Sequence, residues 1–198
     1  MPRTEKQFEE IRKQKKELIL ESALELFAEH GFHATSISQI AKKAKISKGL
    51  IYSYFESKKE ILQVIILNAY HSIYSNFDLD NDGTLTEEEF IFFIRRSFEI
   101  VRQNNNFWKL YISLVTQPKI LESVQNEILI EKSKPILDTF YKFIHSKNSD
   151  DPQETLLVIS SLLKGAFMLM ITNPEFFTIH NSEEKIIETC MNIINRKI

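Results

Sequence analysis

The chain is poor in cysteine, glycine and proline: one, four and five among 198 residues. A single cysteine, Cys190, excludes an intramolecular disulfide and fits a reducing cytoplasm, where its expected role is that of a small buried apolar group. Scarce glycine and proline leave few turn signals, which argues against a turn-rich β fold and for helices. The four glycines form no phosphate-cradling loop of either the G-x-G-x-x-G or the G-x-x-x-x-G-K type. The five histidines, His30, His33, His71, His145 and His180, show no zinc spacing. No enzyme is expected. No uninterrupted apolar run reaches the roughly 18 residues of a membrane span, and the amino terminus mixes both charge signs without a signal-peptide core. The expectation is a soluble, cytoplasmic protein with no membrane partner.

Charge is uneven. Residues 1–60 hold 12 Lys/Arg against 9 Asp/Glu, whereas 61–198 hold 13 against 18. A basic head on an acidic body suits a protein that meets phosphate at one end. Within the head, 31–58 reads as two short helices around a tight break. Thr35 or Ser36 can cap a helix over 37–44 whose inward positions are Ile37, Ile40, Ala41 and Ala44. Lys45 and Ile46 make the turn. Ser47 can cap a second helix in which Ile51 and Phe55 face inward. Its outer face then offers Lys48, Gly49, Tyr52 and Tyr54, with Lys58 and Lys59 beyond. Lysine can donate to guanine acceptors and glycine admits close backbone approach to a groove; the hydroxyls of Thr35, Ser36, Ser47, Tyr52 and Tyr54 can hold phosphates. The charged run Arg12, Lys13, Lys15 and Lys16 can reach a neighbouring phosphate or serve as a solvated helix face.

From Ile19 to Leu62 the chain carries Ala23, Phe27, Gly31, Thr35, Ile40, Ala41, Ser47, Lys48, Gly49, Tyr52, Phe55 and Lys58 at spacings that resemble the TetR/AcrR family of bacterial transcriptional regulators. The resemblance is close over the first third; the remainder agrees in length and helical character. It implies an all-α fold, with a three-helix helix-turn-helix DNA-binding domain over 1–60 and a helical effector-binding and dimerisation domain over 61–198. It further implies a homodimer on a palindromic double-stranded operator, released by a small-molecule effector, so that the chain acts as a repressor. Leu50 departs from the small or polar residue often found there, though it can contact a thymine methyl group.

Beyond the head, helices are expected at 58–76, 87–104, 107–116, 120–146, 152–172 and 183–196, with Pro135 splitting the fourth near Lys134. The last two carry more apolar positions than one intramolecular face needs, Leu156, Ile159, Leu163 and Met170 with Ile186, Ile187, Ile193 and Ile194, as a dimer interface would. Among the middle helices, Trp108, Tyr111 and Tyr141 are candidates for an effector pocket, although such side chains also fill cores.

The connection 78–89 matches a different pattern. Asp78, Asp80 and Asp82 occupy positions 1, 3 and 5 of an EF-hand loop, Gly83 position 6, Thr84 position 7, Leu85 position 8, Thr86 position 9 and Glu89 position 12. Three carboxylates, the Thr84 carbonyl, Thr86 directly or through water, and a bidentate Glu89 would hold Ca2+. A second reading makes it an acidic turn in which Thr86 caps the next helix and Glu87, Glu88 and Glu89 complement its positive end. No second copy of the loop occurs. If calcium rather than DNA were the chain's business, it would be a calcium-binding helical signalling module acting through a protein partner.

Overall fold

The computed structural model describes residues 5–75, 77–80, 82–115, 117, 127–147, 151–179 and 182–195. Every regular element among them is a helix: α1 (Glu5–His30), α2 (Ile37–Lys43), α3 (Lys48–Tyr52), α4 (Lys58–Tyr74), α5 (Glu87–Gln103), α6 (Asn105–Val115), α7 (Glu127–Ser146), α8 (Pro152–Thr172), α9 (Pro174–Ile179) and α10 (Ser182–Ile194). The chain divides into two units, one formed by 1–69 with 106–126 and the other by 70–105 with 127–198. The boundary falls inside α4, later than residue 60, and most of α6 belongs to the first unit.

In the first unit, α1 ends because Gly31 takes a left-handed conformation, φ +82°, and its N–H donates to the Phe27 carbonyl at 3.0 Å. Glycine adopts that conformation without a Cβ penalty. Ile19, Ala23 and Phe27 of α1, Ile40 and Ala41 of α2, Ile51 of α3, Phe55, and Ile61 and Leu62 of α4 are all buried. Each fully buried Leu, Ile or Phe contributes roughly 1.5–3 kcal/mol, so this small unit depends on a few large side chains.

In the second unit, α8 packs against α7, α9 and α10, and α5 packs against α8 and α10. Phenylalanines fill the interior: Phe90 meets Phe143 at 5.3 Å between ring centroids, Phe93 meets Phe140 at 5.4 Å and Phe98 meets Phe167 at 5.1 Å. Arg95 of α5 donates twice to Glu184 of α10, and Arg102 pairs with Glu183. Cys190 is buried, and burial pushes its thiol pKa up to about 11, as a packing role requires.

Two expectations need correction here. Pro135 does not split its helix: α7 continues through it to Ser146. Proline in a helix interior costs about 3 kcal/mol through a missing N–H and a ring clash. Burial of Phe140, Phe143 and Ile144 on the following turns offsets that cost. The start of the expected 120–146 segment lies outside the described residues. After α8 ends at Asn173, the chain re-enters a six-residue helix, α9, with Pro174 at its first position, where a missing N–H is harmless. The expectation that no stretch reaches membrane-spanning length holds for uninterrupted apolar runs only. As a whole, α8, with 21 residues, is long and apolar enough by length and composition to cross a membrane.

Candidate nucleic-acid interface

The helix-turn-helix is held by its own polar groups. Ser36, not Thr35, is the N-cap of α2: its hydroxyl accepts from Gln39 N–H at 3.2 Å while Gln39 Oε1 accepts from Ser36 N–H at 2.7 Å, a complete capping box. Ser47 caps α3, accepting from Leu50 N–H at 3.1 Å. The turn between them places Lys45 at φ 54°, a conformation that costs a residue with a Cβ about 1–2 kcal/mol. Packing of α2 on α1 and α3 compensates. Lys43 is committed to α1, 2.5 Å from Glu25, whose hydrogen bond and charge raise its pKa.

What remains outward on α3 is Lys48, Gly49 and Tyr52. Tyr52 is 50% exposed, and the Lys48 ammonium lies 5.9 Å from its ring centroid, so cation and aromatic face form one patch. A Cβ at Gly49 would meet nothing within 4 Å, so α3 presents bare backbone at its start. Tyr54 is half-buried with the Arg12 guanidinium 5.9 Å from its ring centroid, and Lys16 stands 5.7 Å from that of Phe55. Charge from α1 is thus fixed beside the motif. Lys42 and Lys45 are exposed at the end of α2 and in the turn. Their place before α3 was the available signal for adding them to the expected contacts.

Two of the expected phosphate contacts point elsewhere. Thr35 is 2% exposed and its hydroxyl donates to the carbonyls of Gly31 (2.9 Å) and Leu26 (3.2 Å). The Lys58 ammonium donates to the carbonyls of Phe32 (2.6 Å), Thr35 (2.6 Å) and His33 (3.3 Å) and lies 4.5 Å from the Phe32 ring centroid. Burial lowers the Lys58 pKa, while the three carbonyls favour its charged form. Both side chains tie the 31–35 loop to the helices around it, and a phosphate would have to displace those bonds to use them.

The family description "Bacterial regulatory proteins, tetR family" matches residues 19–65, the segment that holds this motif. The HTH-type transcriptional regulator YuxN of Bacillus subtilis is 51% identical over 59 residues, 30% of this chain and 20% of that protein's length. The negative regulator IcaR of the biofilm operon icaADBC in Staphylococcus epidermidis is 22% identical over 183 residues, 91% of this chain and 97% of its own length. A transcriptional regulator of the same family from Aquifex aeolicus superposes with a TM-score of 0.66 at 26% identity, covering 90% of this chain and 99% of that one. The segment 19–65 is thus a TetR-family segment, and the relatives that share it are named as transcriptional regulators.

The pocket candidates fall in different units. Trp108 and Tyr111 belong to the first, and their rings meet edge to face at 5.4 Å between centroids; Tyr141 belongs to the second and is half-buried. Trp108 is buried, and burial raises the pKa of Tyr111.

The acidic connection lies within the second unit. One oxygen of each aspartate accepts from the loop's own backbone: Asp78 from Gly83 N–H (2.9 Å), Asp80 from Asp82 N–H (3.2 Å) and Asp82 from Thr84 N–H (2.7 Å). The Asp82 N–H pulls the Asp80 pKa down, yet desolvation and the charges of Asp82 and Glu89 leave it raised overall. Glu89 is buried. It accepts from Thr86 N–H (2.9 Å) and Leu79 N–H (2.9 Å), bonds that lower its pKa, and with Thr86 as N-cap it completes a capping box at the start of α5.

Proposed function

We propose that this chain is a cytoplasmic, homodimeric repressor that reads a palindromic DNA operator with α3 and leaves it when a small-molecule effector binds. The observation that carries the reading is the outward patch of Lys48, Gly49 and Tyr52 on a helix whose cap, turn and buried face are fixed from within. A recognition helix uses its first residues against base edges in the major groove, and here those residues are a lysine and a glycine. Ser36 and Ser47, exposed at the two caps, can add phosphate contacts through groups the caps leave over.

A second copy of the chain suits α8, though through other residues than expected, since Ile159, Met170, Ile187 and Ile194 are buried within the chain. Leu157, Val158, Met168 and Leu169 are 66, 45, 51 and 46% exposed, and with exposed Ser161, Lys164, Gly165 and Thr172 they make one stripe along the helix. Large apolar side chains exposed together on one helix face suit an interface. Two-fold pairing would also set two recognition helices about 34–36 Å apart, the spacing of successive major grooves. Repression agrees with the negative regulation named for IcaR. For the effector, a population shift is enough: to move the dimer from 1:99 to 99:1 it must prefer the released conformation by about 5.5 kcal/mol. Trp108 and Tyr111 within the first unit, and Tyr141 separately within the second, are the candidates to contact it.

Repeated selection of random DNA duplexes on the purified full chain tests the proposal. The expected result is enrichment of one palindrome, with binding that weakens steeply as salt rises. Retention of DNA without any enriched sequence would overturn it.

A further inference from the structure

Nothing in DNA reading uses the loop between α4 and α5. Its arrangement is nonetheless specific. One carboxylate oxygen from each of Asp78, Asp80 and Asp82 lies within 4.8 Å of the other two. The hydrogen bonds inside the loop account for one oxygen of Asp78, that accepting from Gly83 N–H. The other, Oδ1, has no accessible surface and no hydrogen-bond partner in the structure. A carboxylate oxygen buried without a partner, on a side chain grouped with two more carboxylates, is costly unless a cation or donor meets it. Like-charged groups held this close point to a ligand that is positive.

We propose that Asp78, Asp80, Asp82 and Glu89, with the carbonyl of Thr84, form a calcium site. The donors are all oxygen, with no histidine or cysteine among them, which selects a hard cation over zinc or copper. Calcium accepts six to eight oxygens in irregular geometry, whereas magnesium demands a compact octahedron and gives up its waters reluctantly. The loop is anchored at both ends by apolar packing: Phe77 meets the Phe140 ring at 5.7 Å, Leu85 is buried, and Phe90 follows in the core. Gly83 takes φ +79° at the sharp bend, where a Cβ would be strained. Glu89 has two tasks. Its carboxylate already faces the loop through Leu79 and Thr86, and bidentate ligation would exchange part of that capping for the metal.

Titration of calcium chloride into the chelator-stripped full chain, in magnesium-containing buffer and followed by calorimetry, decides this independently of any DNA activity. Saturable binding of one ion per chain is expected, with a dissociation constant on the order of 10⁻⁵ to 10⁻³ M, the weaker part of the range for such loops. Asp78→Asn keeps an oxygen for the Gly83 N–H and should bind at least about tenfold more weakly, since it removes one charged ligand. Glu89→Gln should do the same, and calcium should raise the melting temperature of the unsubstituted chain alone. Should Asp78→Asn lose its helical circular dichroism, Asp80→Asn, at an exposed position, provides the same readout. The proposal is overturned if the folded chain gives no saturable heat up to about 10 mM calcium, beyond the weakest loops of this kind. It is equally overturned if folded Asp78→Asn binds as tightly as the original, because the orphaned oxygen then has no part in binding. Either result would leave the connection as the acidic cap of α5.

Discussion

The two units spend their polar and apolar groups in opposite ways. In the first, several polar side chains near the motif close on the unit itself: Ser36 and Ser47 cap helices, Thr35 and Lys58 bind carbonyls, and Lys43 pairs with the Glu25 carboxylate of α1. On α3 itself, Lys48, Gly49 and Tyr52 face out. In the second, the phenylalanine core is well filled, yet α8 shows a long apolar stripe and the α4–α5 connection holds a carboxylate oxygen with no partner. The first unit closes most of its polar groups near the motif and leaves a lysine, a bare backbone and a tyrosine outward on α3. The second has two features that acquire a purpose with something added, a second copy in one case and a cation in the other.

The hardest way to break this contrast is through two apolar truncations. Phe27→Ala, at a fully buried position of the first unit, should cost about 3–5 kcal/mol. Leu157→Ala, on the exposed stripe of the second, should change the unfolding free energy of dilute, dissociated chains by less than about 0.5 kcal/mol. Urea unfolding monitored by circular dichroism measures both, and equal losses would mean that Leu157 is part of a monomer core. A smaller effect sharpens the picture of the first unit. Thr35→Val preserves shape but leaves the carbonyls of Leu26 and Gly31 without their donor, and should cost about 1–3 kcal/mol. If the main role of Thr35 were instead to hold phosphate, stability would be unchanged and DNA affinity would fall.

How far the sequence could be read follows the same division. Ser36 and Ser47 act within a few residues of themselves, so the turn and the caps were legible from spacing, with Thr35 as the alternative to Ser36. Thr35 and Lys58 bond to groups as many as 9 and 26 residues away. Their residue types suggested phosphate contacts, and only the tertiary arrangement shows their hydroxyl and ammonium turned inward. Pro135 misled for a related reason: a local rule for breaking helices was outweighed by burial of Phe140, Phe143 and Ile144 one to two turns later. A six-residue helix such as α9 is too short to show a periodic pattern, and the division within α4 follows packing that no local signal announces. The twelve-residue acidic pattern was legible because its ligand types recur at fixed intervals, but the unpartnered Asp78 oxygen was not.

The central claim is that the outward face of α3 reads base sequence. Its most direct test is the ratio of affinities for a selected palindrome and for a scrambled duplex of equal length, measured by fluorescence anisotropy at fixed salt for the original chain, Lys48→Ala and Tyr52→Ala. A lost base-reading contact is worth about 1–3 kcal/mol of discrimination. The account therefore predicts that Lys48→Ala lowers the ratio by about 5- to 150-fold, and that Tyr52→Ala weakens binding, with melting temperature and helix content unchanged in both. Variants that fold normally and keep the full ratio and affinity would contradict it.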